Sequence, residues 1–172
     1  MKNHRGIGII NNSYKTWLDY LDCGLYKGES SFLRFAVLWL SFVCYLNEYC
    51  KSNREWNKID GFIKGEQVGV VHNSLPIQDL IEKFSTATDG DGFVKNMKHG
   101  HTNEKDYFDQ NHTDVCFFFK AVYQIRCNFF HGDKFPNSER DERIVNWAFE
   151  SLHAFWLQYI NLIEREKDEN HS

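Results

Sequence analysis

Residues 115–132, VCFFFKAVYQIRCNFFHG, decide the fold of this 172-residue chain. Its apolar residues recur at spacings of 3, 4, 3 and 4, at Val115, Phe118, Val122, Ile125 and Phe129. This spacing is typical of a helix that packs one face against a partner. Gly132 follows, and glycine often ends helices because it adopts the left-handed conformation without steric cost. The stretch therefore predicts a core helix that ends just before Gly132.

Two further segments show the same helical periodicity. The first is the aromatic run Phe32–Tyr49, which is apolar on nearly every face and is therefore expected to be central in its domain. The second begins at Ser138, a residue that caps helix N-termini well, and should run to about Arg165. Only the linker GDKFPN separates it from the helix of residues 115–131, so these two helices should pack as antiparallel neighbours.

The remaining segments set the fold class and the domain boundaries. Shorter helices are predicted at residues 12–22 and 76–87. Residues 53–111 are punctuated by glycines, and we interpret them as a mostly irregular insertion with one or two short helices. The chain is thus predicted to be all-α, an up-and-down helical bundle of four to five helices that carries this insertion. One domain is expected over residues 1–167, followed by a polar tail at 168–172.

Composition limits the surroundings and the partners of the chain. The net charge of −4 gives no general attraction to nucleic acid, so RNA binding would need a local basic patch. The longest apolar run, residues 35–46, is shorter than the roughly 20 residues that span a bilayer. The N-terminus lacks the apolar stretch of a signal peptide, and the five cysteines include no C-x-x-C pair. These features predict a cytoplasmic protein with reduced thiols and no membrane partner.

Arg126 interrupts the apolar helix of residues 115–131, and His131 stands at the end of that helix. Five residues rotate an ideal helix by about 500°, which would leave the two side chains about 140° apart. His131 belongs to the last turn before Gly132, however, and there it can fold back toward the face that carries Arg126. An arginine that stabilises a phosphorane and a histidine that moves protons suffice for attack of an RNA 2′-hydroxyl on the adjacent phosphate without metal.

The sequence around this pair resembles a known superfamily. The run FFFKAVYQIRCNFFHGDKFPNSERDERIVNWAFESLHAFWLQY resembles the HEPN superfamily (higher eukaryotes and prokaryotes nucleotide-binding), whose members carry R-x(4 to 6)-H at the end of a bundle helix. It is most similar to bacterial members with an I-R-C-N-x-x-H-G signature. The resemblance is good over residues 113–160, looser over 30–50 and absent over 53–111.

The resemblance implies a HEPN-like bundle with the activity of a metal-independent endoribonuclease, of the kind used as toxins and in antiviral defence. Such proteins act as homodimers in which two copies of the motif form one composite site. Carried over to this chain, Arg126 and His131 would be catalytic, and Asn128 would orient phosphate or the partner arginine. No cofactor and no metal is implied, and a toxin would be restrained by an antitoxin or another regulatory protein.

Three basic residues follow the motif closely in the sequence. Lys134, Arg140 and Arg143 would supply the local positive patch for RNA that the acidic total charge does not provide. Asn128 stands three residues before His131, so a hydrogen bond that positions the imidazole ring is expected from helix spacing alone.

Other interpretations of the motif remain open. In one alternative the chain is a catalytically inactive HEPN module for dimerisation, nucleotide binding or partner-protein binding. In another it is a helical interaction domain in which Arg126 forms an ion pair with Asp141 or Glu142 of the last helix. In related bacterial sequences a polar residue often follows the aromatic of the first core helix. Here Val43 holds that position, and Asn47, one turn later, would substitute.

Three other candidates for a site carry less weight in the sequence. His99, His101 and His112 do not have the spacing of a zinc site, so we expect no metal there. Asp89-Gly-Asp91-Gly begins like a calcium loop but lacks the later ligands, which indicates a turn. Cys127 lies in an apolar setting and is interpreted as inert packing.

Overall fold

Helices dominate the part of the chain that the structure describes, which is residues 13–22, 29–98, 104–130 and 138–170 of a computed structural model. In these ranges there are seven helices and one antiparallel pair of short strands. They are α1 (Ser13–Asp22), α2 (Ser31–Tyr49), α3 (Glu55–Phe62), α4 (Glu66–Ser74), α5 (Ile77–Ala87), β1 (Phe93–Lys95), β2 (Lys105–Tyr107), α6 (Val115–Phe130) and α7 (Glu139–Glu169). The prediction of a predominantly helical fold is confirmed.

The predicted periodic segments all form helices. Helices α1, α2, α5, α6 and α7 begin within a residue or two of the predicted starts. Ser138 caps α7, since its side chain accepts a hydrogen bond from the Asp141 amide at 3.3 Å. Helix α7 extends past the predicted end at Arg165 to Glu169, because nothing in its polar last turns stops a helix.

Helix α2 is central to the core, as its apolar composition predicted. The Phe42 ring contacts four other aromatic rings, those of Trp39, Phe62, Phe119 and Trp156. Its polar residue Ser41 is fully buried and satisfied, since its hydroxyl donates to the Tyr14 carbonyl at 2.6 Å and accepts from the Trp156 indole at 3.0 Å. Neither α2 nor any other helix in the described ranges is long and apolar enough to cross a membrane.

Helices α6 and α7 pack as the antiparallel neighbours that the short linker predicted. The Phe119 ring, near the start of α6, lies 5.1 Å from the Phe155 ring in the middle of α7. Near the other end of α6, Asn128 lines a cleft together with Ile144 from the beginning of α7. The two helices therefore run in opposite directions along their contact.

The interpretation of residues 53–111 as a mostly irregular insertion with one or two short helices is wrong. This segment folds into α3, α4, α5 and a β-hairpin. Gly61 and Gly69 lie inside helices, where each costs about 1 kcal/mol relative to alanine. Burial of apolar side chains from the same helices, among them Phe62 and Val68, outweighs that cost.

A left-handed turn leads from α5 into the hairpin, as the Asp-Gly-Asp-Gly stretch predicted. Asp89, Gly90 and Gly92 have φ angles of 57°, 89° and 66°. The buried Thr88 hydroxyl stabilises the turn by accepting from the Gly92 amide at 3.0 Å and donating to the Phe84 carbonyl at 2.8 Å. The turn delivers Val94 of β1 into the core, where it is 3% exposed.

His72 of α4 makes the stability of the fold dependent on pH. Its side chain is 6% exposed, and its Nε2 has no hydrogen-bond partner among the described residues. Burial lowers the pKa of His72, and Asn73, Asp114 and the Thr113 backbone offset this only in part. The folded state favours the neutral imidazole. As the pH falls below about 6.5, the unfolded chain therefore binds a proton at His72 more readily than the folded chain does.

We therefore expect His72 to cost the wild type up to about 1.4 kcal/mol of stability for each pH unit as the pH falls from about 6.5 toward the lowered pKa of the folded state. His72→Gln cannot titrate and should remove that part of the loss. Urea unfolding across the pH range measures the difference. Equal slopes in the wild type and in the variant would contradict the assignment of this pH dependence to His72.

Candidate functional site

Arg126 lies near the C-terminal end of α6, on the flank that faces α2 and α3. Its Nη2 is 2.9 Å from Oε2 of Glu55, and both side chains are 23% exposed. The other carboxylate oxygen of Glu55 accepts a hydrogen bond from the Trp39 indole at 3.0 Å. The guanidinium carbon lies 5.8 Å from the Trp39 ring centre and 5.0 Å from that of Phe130. Three helices thus fix the direction of this guanidinium.

The partner of Arg126 is not the one expected from the sequence. The alternative interpretation paired Arg126 with Asp141 or Glu142 of the last helix, whereas the structure pairs it with Glu55 of α3. Glu55 was missed because it lies in the segment that we interpreted as irregular. Its position as the first residue of a helix is one that glutamate favours, since the helix dipole stabilises a carboxylate there.

The ion pair leaves part of the guanidinium without a partner. Glu55 binds Nη2, whereas the buried Nε of Arg126 has no hydrogen-bond partner among the described residues. A guanidinium carries five N–H donors in a planar fork. Because Nε is buried, an oxyanion would have to reach the guanidinium through the exposed part of the side chain, while Glu55 holds its orientation.

Tyr123 and Cys127 lie beside Arg126 on the same helix. Burial, together with Cys127 and Glu55, raises the pKa of Tyr123 to about 12, although Arg126 opposes the rise. Burial also raises the pKa of the Cys127 thiol, and the neighbouring Tyr123 and Arg126 only partly oppose this. A thiol that stays protonated at neutral pH is a poor nucleophile, which agrees with the interpretation of Cys127 as packing.

Asn128 is 2% exposed and fastens the β-hairpin to α6. Its Oδ1 accepts hydrogen bonds from Gln124 Nε2 at 2.7 Å and from the Met97 amide at 3.2 Å, and its Nδ2 donates to the Lys95 carbonyl at 2.8 Å. Two residues rotate a helix by about 200°, so Asn128 points away from the flank that carries Arg126. The structure gives Asn128 a role in holding the hairpin, and we do not propose it as a ligand of phosphate.

Arg140 and Arg143 form ion pairs with the turn before β1. Arg140 contacts Asp89 at 3.1 Å and Asp91 at 3.2 Å, and Arg143 contacts Asp89 at 2.5 Å. Two carboxylates therefore balance the two cations that the sequence suggested as a positive patch. Arg140 lines the same cleft as Asn128, on the hairpin side of α6, so the structure does not bring it together with Arg126.

The other predicted residues are placed as follows. His131 and Lys134 lie outside the described residues, as do His99 and His101, so the convergence of Arg126 and His131 stays a prediction. Asn47, proposed as a polar substitute in the first core helix, accepts a hydrogen bond from Lys58 of α3. Within the described ranges, no three histidine, cysteine, aspartate or glutamate side chains converge as metal ligands.

The surface of α2 beside this site is apolar. Leu33 and Leu40 are 41% and 42% exposed, and Ala36 and Val43, which are half-buried, lie between and beyond them at helical spacing. We call these four residues the α2 stripe. At the end of α6, Phe130 is 49% exposed. Exposed apolar side chains thus occur on α2 and at the end of α6, the helix that carries Arg126.

Comparison with known proteins found no relative for this chain. No family model matches the sequence, and no curated protein and no solved structure matches it.

Proposed function

We propose that this chain is a metal-independent endoribonuclease of the HEPN type, which acts in the cytoplasm as a toxin or in antiviral defence. The observation that supports this most is the setting of Arg126. Its half-buried guanidinium is held between two aromatic rings by Glu55, one turn before the end of α6. The resemblance of the surrounding sequence supplies the reaction and the second catalytic residue, His131.

In the proposed reaction the RNA 2′-hydroxyl attacks the adjacent phosphorus, and the bond to the 5′-oxygen of the next nucleotide breaks. His131 moves the proton, and the donors of Arg126 stabilise the charge on the phosphorane oxygens. The products are a 2′,3′-cyclic phosphate and a 5′-hydroxyl. Since the nucleophile belongs to the substrate, DNA cannot react.

The proposal includes a homodimer in which two copies of the motif form one site. The α2 stripe and Phe130 are consistent with this, because exposed apolar side chains beside a functional residue are typical of interaction surfaces. A toxin would also need an antitoxin or another regulatory protein to restrain it. The same apolar surface is where such a partner would compete with the second copy.

One observation favours the alternative, a catalytically inactive HEPN module for dimerisation, nucleotide binding or partner binding. The Glu55 carboxylate already pairs with the guanidinium that would stabilise the phosphorane. An arginine that serves only to join α3 to α6 would make the same contact. Activity therefore has to be measured on the folded dimer.

The direct test is incubation of the purified protein with RNA in the presence of EDTA. We expect cleavage products with 2′,3′-cyclic phosphate ends, and no cleavage where a 2′-deoxynucleotide replaces the residue that supplies the nucleophile. Size-exclusion chromatography with light scattering should show a dimer at micromolar concentration. A folded dimer that leaves both single-stranded and structured RNA intact would rule out the enzyme and favour the inactive module.

A further inference from the structure

The outer face of the β-hairpin presents two aromatic rings and two lysines in register. Phe93 pairs with Tyr107, and Lys95 pairs with Lys105. In β1, Val94 lies between Phe93 and Lys95 and is only 3% exposed. Because successive side chains of a strand point to opposite faces, Phe93 and Lys95 point outward. Lys95 and Lys105 are exposed, and the rings of Phe93 and Tyr107 lie 5.4 Å apart.

The row of rings continues from the hairpin onto α6. The His112 ring stacks on Tyr107 at 5.2 Å with an interplanar angle of 27°, and Phe117, in the first turn of α6, lies 4.6 Å from His112. We call Phe93, Tyr107, His112 and Phe117 the aromatic row. All four are half-buried, whereas aromatic residues of the core such as Phe108 and Phe118 are fully buried. These rings therefore keep some contact with solvent.

Lysines stand at both ends of the aromatic row. Lys105 Nζ lies 4.1 Å from the Phe93 ring centre, and Lys120 Nζ lies 5.4 Å from that of Phe117. Two carboxylates of the same segment already have partners: Asp109 accepts from His112 Nδ1 at 2.8 Å, and Glu104 accepts from Asn96 at 2.8 Å. Asp106 is half-buried, whereas Lys95 and Lys105 are exposed. Asp106 also lies close enough to Lys120 for their charges to interact, so Lys95 and Lys105 are the cations that this face offers to a ligand, beside the exposed carboxylate of Glu104.

A row of aromatic rings with lysines at both ends matches the chemistry of a single-stranded polynucleotide. Unpaired bases stack on aromatic side chains with little sequence preference, and lysines neutralise the phosphates between them. A duplex hides its base faces within its own stack and has no use for such rings. A protein partner of ordinary composition would not need cations at both ends of the row.

We propose that the aromatic row, together with Lys95, Lys105 and Lys120, binds single-stranded RNA. This inference rests on the proposed function only in taking RNA as the polymer, because binding by the aromatic row does not require cleavage. Asn128 fastens the Lys95 end of β1 to the last turns of α6, while Arg126 lies on the opposite flank of that helix. The row therefore binds a part of the strand that is distant from the phosphate that reacts.

Fluorescence anisotropy with a labelled decamer of 2′-O-methyl RNA, which cannot be cleaved by 2′-hydroxyl attack, tests this binding. Tyr107→Leu keeps an apolar residue in the hairpin but removes the ring, and we expect it to weaken binding about tenfold. The double variant Lys95→Gln, Lys105→Gln leaves the rings in place. It should reduce the slope of log K against log salt by about 1.4, since each single-strand phosphate contact contributes about 0.7.

Two controls make the outcome specific. Tyr49→Leu removes a tyrosine that is 51% exposed on α2, away from the row, and should leave the affinity unchanged. An abasic decamer of equal length should bind the wild type at least about tenfold less tightly, because it stacks on none of the rings, and Tyr107→Leu should weaken its binding no further. Thermal unfolding shows whether each variant is folded. If Tyr107→Leu does not fold, the variant Lys95→Gln, Lys105→Gln tests the binding instead.

The outcomes separate this inference from the proposed function. A wild type that cuts RNA, with Tyr107 and lysine variants that bind the decamer as tightly as the wild type, would overturn the inference alone. A wild type that binds the decamer through the row but never cuts RNA would overturn the endoribonuclease alone. Tighter binding of duplex than of single strand, or equal binding of the abasic decamer, would also refute a stacking site.

Discussion

Arg126→Ala should reduce the rate of RNA cleavage between about 100- and 1,000-fold, the usual effect of removing one donor that stabilises a developing oxyanion. The guanidinium is half-buried and fixed by Glu55, so its donors require little reorganisation when the phosphorane forms. Arg126→Lys should restore only a small part of the rate, because an ammonium keeps the charge but not the planar fork. Single-turnover cleavage of a labelled RNA measures both variants.

Glu55→Gln separates a catalytic role of Arg126 from a structural one. Glutamine keeps an acceptor for the Trp39 indole but removes the charge that pairs with Arg126. If Arg126 acts on RNA, this variant should retain cleavage within about tenfold, while Arg126→Ala does not. If the ion pair only joins α3 to α6, both variants should lose stability equally and neither should affect cleavage specifically.

Arg165→Ala is a matched control for Arg126→Ala. Arg165 lies near the far end of α7 and, within the part of the chain that the structure describes, donates to the Asn161 carbonyl of its own helix, so its removal should leave cleavage and folding nearly unchanged. Cleavage by Arg126→Ala at the rate of Arg165→Ala, in folded protein, would remove Arg126 from the catalytic site.

Asn128→Leu should destabilise the fold by about 2–4 kcal/mol, because buried groups left without a partner cost about 1–3 kcal/mol each. Leucine has nearly the same size as asparagine, but it would leave the Gln124 amide, the Met97 amide and the Lys95 carbonyl unpaired. Protection of the hairpin amides against hydrogen exchange should fall as well. Urea unfolding measures the loss of stability.

Asn146→Leu is the control for Asn128→Leu, since Asn146 is partly exposed and donates a hydrogen bond to Glu150 of the same helix at 3.0 Å. It should change stability by no more than about 0.5 kcal/mol, as surface substitutions generally do. If the two leucine variants were equally stable, the hairpin would not depend on Asn128. Full stability of Asn128→Leu together with a loss of RNA cleavage would restore its role beside phosphate.

The helices were predictable where the apolar spacing is regular and long. In α2, α6 and α7 the repeat extends over several turns, so the local pattern and the tertiary packing require the same conformation. In α3 and α4 the repeat is short and glycines interrupt it. Burial of Ile59 and Phe62 in α3 and of Val68 in α4 overrides the weak local preference there, and such burial depends on partners distant in sequence.

The candidate site was predictable in its residue types but not in its neighbours. The motif singled out Arg126, and the structure gives this residue a half-buried, oriented guanidinium. Neither Glu55 nor the Trp39 indole could be assigned to it, because each comes from a different helix. Asn128 lies two residues from Arg126 in the sequence but on the opposite flank of α6, where it contacts the hairpin.

By itself, the sequence determined the class of the fold, the position of its long helices and the unusual placement of an arginine in an apolar helix. These are properties of local spacing, which the chain carries wherever it is folded. Only the tertiary structure decided that Glu55 orients Arg126, that Asp89 and Asp91 balance Arg140 and Arg143, and that four rings lie in one row with Lys105 and Lys120 at its ends. Each of these depends on side chains separated by many residues, and packing alone brings them within a few ångströms of each other.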